Sequence, residues 1–112
     1  MALSKKNRLN SEKSFKLVFK EGKTVKNSFF FIKFFKNSIG HLRLAIAISN
    51  KIAKKSTTRN KLKRIVAEVL KNSRLYGQPL DLVIVATETI VGKTVKEIKG
   101  ELEQTIDKKF VK

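Results

Sequence analysis

Residues 59–64 place four cations, Arg59, Lys61, Lys63 and Arg64, around Asn60 within six positions. Such a cluster breaks no bond by itself. Guanidinium and ammonium donors do bind phosphate oxygens, so the chemistry it offers is recognition of a polyanion. Leu62, Ile65, Val66, Val69 and Leu70 follow at helical spacing. At about 100° per residue, Asn60, Lys63, Arg64 and Lys71 fall opposite that apolar stripe and Arg59 at its border. A solvated helix face accounts for many charge runs. Here Glu68 is the only nearby acid able to pair with these cations. Cations near a helix N-terminus also oppose the macrodipole, at on the order of a few tenths of a kcal/mol each. A polyanion offsets that cost by releasing counterions, and the nucleic-acid reading leads.

The chain offers little for catalysis of its own. Metal-dependent phosphodiester cleavage needs clustered carboxylates or histidines. Seven of the nine acids lie beyond residue 64, mostly along the last helical segment. His41 is the only histidine and reads as a solvated strand-end residue beside a turn. There is no Gly-rich phosphate loop, no HxxxH pair and no nucleophile motif. No catalytic residue and no metal ligand is assigned.

Phe15, Phe19 and the aromatics of residues 29–35 have two readings: stacking platforms for a nucleic-acid strand, or core. On a strand Phe30, Ile32 and Phe34 share one face, read as core. Phe29, Phe31, Lys33 and Phe35 share the other. Lys33 is costly to bury unpaired, so part of that second face should be open to water.

Composition fits these residues. One domain suits 112 residues, and an apolar fraction of 41% argues against disorder. The formal net charge of +17 is uneven. Residues 1–64 carry 18 Lys/Arg against two acids, or +16, and residues 65–112 carry 8 against 7, or +1. Concentrated charge implies a binding face. No cysteine is present, which fits a reducing cytoplasm. The longest apolar runs, residues 29–32 and 82–86, are too short to span a bilayer, and the first ten residues lack a secretory apolar segment.

The elements that must position these groups are legible in outline. Residues 1–10 form a basic arm, read as flexible. Residues 11–20 read as a helix capped by Asn10 or Ser11 and ended by Gly22. Residues 24–36 read as extended, in one strand or two broken near Asn27. Asn37-Ser38-Ile39-Gly40 is turn chemistry and implies a hairpin into residues 42–49. There Leu42, Leu44, Ile46 and Ile48 point one way, and Arg43, Ala45, Ala47 and Ser49 the other. The first face should bury against helices; the second can lie open as a shallow floor. A basic loop, 50–55, leads into the cationic helix, with Ser56 or Thr57 as cap. A turn at 76–79, a buried strand over 80–86 and a helix over 93–110 complete the chain. Val95, Ile98, Leu102, Ile106 and Phe110 stripe that helix. The order is α-β-β-β-α-β-α, an α+β sandwich of sheet and helices.

In this order, the segments resemble the protein subunit of bacterial ribonuclease P. Phe15 with Phe19-Lys20-Glu21-Gly22 is similar to the family's F-x-x-V/I-F-x-x-G stretch. Residues 42–51 resemble its R-x-G-x-x-V-S-K-K strand. Arg59-Asn60-x-x-Lys63-Arg64 resembles its R-N-R-x-K-R-x-x-R helix, and residues 81–86 its D-x-V-x-x-A strand. The likeness covers residues 5–110. It implies a single RNA-binding domain with a four-stranded sheet and a left-handed βαβ crossover, as in the ribosomal protein S5 domain 2-like fold, against the usual right-handed rule. It also implies ribonucleoprotein endonuclease activity on precursor tRNA. A partner ribonuclease P RNA then performs the Mg²⁺-assisted hydrolysis of the 5′ leader, and holds the Mg²⁺. The protein is expected to be cytoplasmic, and monomeric apart from that RNA.

By position, the likeness assigns Arg59, Asn60, Lys63 and Arg64 to the catalytic RNA, with Lys51, Lys54, Lys55, Lys61 and Lys71. It assigns Phe15, Phe19, Lys33, Arg43, Ala45 and Ala47 to the leader. The sequence departs from the pattern at several positions. Lys61 replaces the second Arg of the motif, which keeps charge and loses bidentate geometry. Ala67 stands in place of the final Arg, with Lys71 one turn on as a partial substitute. Asn50, Ala45 and Thr87 also differ. The rival reading is a structural RNA-binding protein of ribosomal type; a stand-alone nuclease lacks metal ligands, and a membrane-surface helix would expose larger apolar residues.

Overall fold

A computed structural model of the chain describes residues 7–9, 12–49 and 51–109. Its elements are α1 (Glu12–Glu21), β1 (Lys23–Lys26), β2 (Phe30–Lys36), β3 (Arg43–Ala47), α2 (Ser56–Lys71), β4 (Leu80–Ala86) and α3 (Val95–Lys109), with a 3-10 turn at Glu88–Ile90. The expected α+β order is the one found. Residues 10, 11 and 110 lie outside the described residues, so the caps expected at Asn10 or Ser11 and the stripe position of Phe110 do too.

The extended stretch does break at Asn27. Its Oδ1 accepts from the Phe29 and Phe30 amides, and its Nδ2 donates to Thr105 Oγ1 at 2.8 Å. This bend turns Phe29 toward the main core, not the face it would share with Phe31 in an unbroken strand.

The sheet order is β1-β2-β4-β3, with β3 and β4 parallel and the other pairs antiparallel. Residues 37–40 turn as expected: Asn37 Oδ1 accepts from the Ile39 and Gly40 amides, and Gly40 takes φ 90°, a region that suits glycine. They do not close a hairpin. β2 and β3 both pair with β4, which lies between them. β4 is the most continuously apolar strand and takes a central place, buried on both faces over Asp81–Ile84. β3 is left outside it, and residues 7–9 cover its outer side. Leu9 N donates to Leu44 O at 3.0 Å, Asn7 Nδ2 to Leu42 O at 2.7 Å, and Tyr76 Oη to Asn7 Oδ1. The end of the basic arm is therefore docked, with Asn7 and Leu9 buried.

The main core lies on the face that carries Phe30, Ile32, Leu44, Leu82 and Ile84, with Val66 and Leu70 of α2 and Ile98 and Leu102 of α3. Two helix starts differ from expectation. At α2 the cap position is Lys55 and no side chain caps it, because Ser56 and Thr57 already lie inside the first turn. At α3 Thr94 and Glu97 form a reciprocal capping box: Glu97 N donates to Thr94 Oγ1, and Thr94 N to Glu97 Oε1, each at 3.1 Å. These bonds from Thr94 hold the Glu97 carboxyl below its ordinary pKa. Val95, as the first residue of that helix, is exposed and does not join its stripe. No described helix is long and apolar enough to cross a membrane.

Candidate nucleic-acid interface

Strand register sorts the other face of the sheet into three rows. Phe35, Asp81 and Arg43 are level with one another, then Thr24, Lys33, Val83 and Ala45, then Lys26, Phe31, Val85 and Ala47. α1 packs against β2 and β4 on this face. Val18, fully buried, meets Val83 and Leu9, with Phe15, Phe35, Ala45 and Val85 packed around them. Gly22 lets the end of α1 come this close, since a Cβ there would press into the carbonyl oxygens of Val18 and Phe34.

The first row is locked. Arg43 donates from Nε to Asp81 Oδ1 at 2.8 Å and from Nη2 to Asp81 Oδ2 at 2.7 Å. Asn37 Nδ2 adds a third bond to Asp81 Oδ1, and Arg43 Nη2 reaches Ser14 Oγ of α1. Asp81 is buried, and its hydrogen bonds raise the Arg43 guanidinium above its ordinary pKa. Arg43, expected to face a nucleic-acid strand, is thus held in a bidentate pair that ties α1, β3 and β4 together.

The third row is open. Lys26 and Ala47 are exposed, Phe31 and Val85 half-buried. Beside it, Phe19 is 45% exposed, and Lys33 Nζ lies 5.7 Å from its ring centroid while donating to Thr24 Oγ1. An aromatic ring with an ammonium over it, next to an open row at Phe31, Val85 and Ala47, suits stacking of a base with its phosphate nearby. Of the six residues assigned to this surface, Phe19, Lys33 and Ala47 are presented to it. Phe15 and Ala45 pack half-buried at its inner end. Phe31 lies with Lys33 on the strand face expected to be partly open; Val85 belongs to a strand expected to be buried throughout and is half-buried because it is level with Phe31 and Ala47 in the open row.

The second candidate surface is on α2. Asn60, Lys61, Arg64 and Lys71 are exposed, and Lys63 is half-buried at the border. Position 67 points inward: Ala67 is 0% exposed and belongs to the main core. Glu68 pairs with Lys99 of α3 at 2.7 Å, not with the cations of its own helix. Among the described residues no α2 cation is paired with an acid. Lys51, Lys54 and Lys55 are exposed in the preceding loop, and Arg59 is half-buried against it. Also among the described residues, no three His, Cys, Asp or Glu side chains gather in a way that would hold a metal ion.

Residues 3–109 match the family described as Ribonuclease P. The ribonuclease P protein component of Thermotoga maritima is 36% identical over 85 residues, covering 75% of this chain and 72% of the relative. That of Legionella pneumophila (strain Corby) is 31% identical over 107 residues, covering 96% and 92%. The solved structure of the Staphylococcus aureus protein superposes with a TM-score of 0.82 at 27% identity, covering 90% of this chain and 93% of that one.

Proposed function

This chain belongs to the ribonuclease P protein family, and from that premise we propose that it is the protein subunit of a ribonucleoprotein endonuclease that removes the 5′ leader of precursor tRNA. The observation that carries this reading is the separation of two surfaces of different chemistry. One is an unpaired cationic helix face, the other an open floor walled by Phe19 and Lys33. The cationic face suits a folded RNA, because Asn60, Lys61, Arg64 and Lys71 present fixed donors along one side of a rigid helix. The loop lysines Lys51, Lys54 and Lys55 extend it, with Lys63 and Arg59 at its border. The floor suits a single strand, which lays bases on aromatic faces while its phosphates meet ammonium groups.

In this reading the catalytic centre is in the partner ribonuclease P RNA. Magnesium ions held by that RNA supply the electrophilic and water-activating chemistry of hydrolysis. The protein's own residues neutralise phosphates and hold the leader in register with the cleavage site. Phe19, Lys33 and Ala47 touch the leader, over Phe31 and Val85. Phe15, Ala45 and Arg43 support it from the inner end, Arg43 through its pair with Asp81. The cysteine-free sequence suits work in the cytoplasm.

Reconstitution tests this. Purified protein, a bacterial ribonuclease P RNA and a precursor tRNA are combined at low millimolar Mg²⁺. Cleavage that needs both protein and RNA is expected. Equal cleavage without the protein would favour a structural RNA-binding role, and cleavage by protein alone would place the chemistry in this chain.

A further inference from the structure

We propose that Arg59 acts on RNA through the loop that precedes it: its guanidinium and backbone fix residues 51–55 so that Lys51, Lys54 and Lys55 are presented together. This rests on the reading of the cationic face as an RNA surface.

The guanidinium of this one residue bonds two consecutive carbonyls of the loop, and the first backbone bond of α2, which any residue at 59 would make, takes the next. Arg59 Nη1 donates to Ala53 O and to Lys54 O, each at 2.9 Å, and the Arg59 amide donates to Lys55 O at 3.1 Å. Both hydrogens of Nη1 are thereby used, so the Nη1–Nη2 edge is half committed within the chain and only the Nε–Nη2 edge is left for a bidentate phosphate. Burial agrees: Arg59 is half-buried, whereas Asn60, Lys61 and Arg64 beside it are exposed.

Among the described residues, the rest of the segment is held at its start, where Ile52 also packs on the main core. No side chain caps α2. The Ile52 and Ala53 amides both reach Ser49 O, at 3.1 and 3.2 Å, and buried Ala53 plugs the loop into the core. Beyond Ala53, the bonds to Arg59 set the backbone. They draw the carbonyls of residues 53–55 toward α2, and the side chains of Lys54 and Lys55 stay exposed, as does Lys51. Without the guanidinium, three like charges would repel across a short loop whose backbone beyond Ala53 lacks those two bonds. Arg59 is accordingly a positioning residue for three ammonium groups.

The test has an RNA-free arm and an RNA arm, both on the full chain. In the free protein, amide exchange of Ile52 and Ala53 should quicken about tenfold or more in Arg59→Ala, with β4 amides unchanged as the control for folding. Arg59→Lys keeps the charge and loses the planar fork, so it should stay closer to Arg59→Ala than to the wild type. In the RNA arm, affinity for a bacterial ribonuclease P RNA is measured against salt. Arg59→Ala should lower the slope by the equivalent of two to three phosphate contacts, where loss of one direct contact lowers it by about one. In a Lys51→Ala/Lys54→Ala/Lys55→Ala background the same change should weaken binding less than twofold, because the groups it positions are gone. Unchanged exchange at Ile52 and Ala53, or an equal loss of affinity in both backgrounds, overturns the proposal and makes Arg59 a direct contact. A triple variant that binds RNA as tightly as the wild type overturns this proposal, whereas the cationic-face reading fails only if Lys61→Ala/Arg64→Ala also binds as tightly as the wild type.

Discussion

Between the sheet and the pair α2 and α3, Ile32, Leu44, Leu82 and Ile84 meet Val66, Leu70, Ile98 and Leu102 with almost no exposed surface. On the face that α1 crosses, among the described residues the only apolar side chains buried to that degree are Leu9, Val18 and Val83, and the row at Lys26, Phe31, Val85 and Ala47 is left uncovered. The first face carries the stability. The second needs polar devices to hold one short helix in place: the Arg43–Asp81 pair, the Asn37 side chain and a glycine at the point of closest approach. The difference teaches that this open face has a set shape without having a full core.

Truncations should separate the faces most sharply. Leu102→Ala, in the main core, should cost about 3–4 kcal/mol in denaturant unfolding, and Val18→Ala in the small cluster about 2 kcal/mol. Equal losses would erase the distinction. Asp81→Ala leaves the Arg43 guanidinium without its carboxylate and should cost about 3 kcal/mol, since breaking a mostly buried pair strands a charge. Amide exchange should place that loss in α1 and the 37–41 turn more than in α3. Gly22→Ala forces the end of α1 away from β2 and should cost about 2 kcal/mol, with near-ultraviolet and exchange changes confined to the α1 face.

Part of this arrangement was legible in the sequence. Alternation over residues 42–49 told which side of β3 is buried, and the spacing of Leu62 to Leu70 told which side of α2 packs. Both signals are local and periodic. The insertion of β4 between β2 and β3 was not legible, because turn chemistry at 37–40 fixes a bend and not a pairing partner. Nothing local joins Asp81 to Arg43, which lies 38 residues away in the chain. An arginine at a helix start reads as free charge until its rotamer is known, and Arg59 folds back on its own loop. Ala67 reads as a gap in a cationic motif, yet its position faces the core.

The smallest effect concerns the well-packed side. Glu97 titrates below its ordinary value of 4.5 when folded, so its contribution is present above that value and is lost as pH falls through the depressed one. The first turn of α3 should lose amide protection in that acid range, and Glu97→Gln should remove the pH dependence while α1 stays unaffected.

The central claim, that α2 takes the catalytic RNA and the α1 face takes the leader, is tested most directly by one ratio. In the reconstituted ribonucleoprotein, affinity for a precursor tRNA is divided by affinity for the same tRNA without its leader. Phe19→Ala/Lys33→Ala should bring that ratio down toward one while assembly with the RNA stays within about twofold. Lys61→Ala/Arg64→Ala should do the reverse, weakening assembly tenfold or more and leaving the ratio intact once the complex is formed. A ratio that follows the α2 variant and ignores the Phe19 and Lys33 variant would contradict the division of labour between the two surfaces.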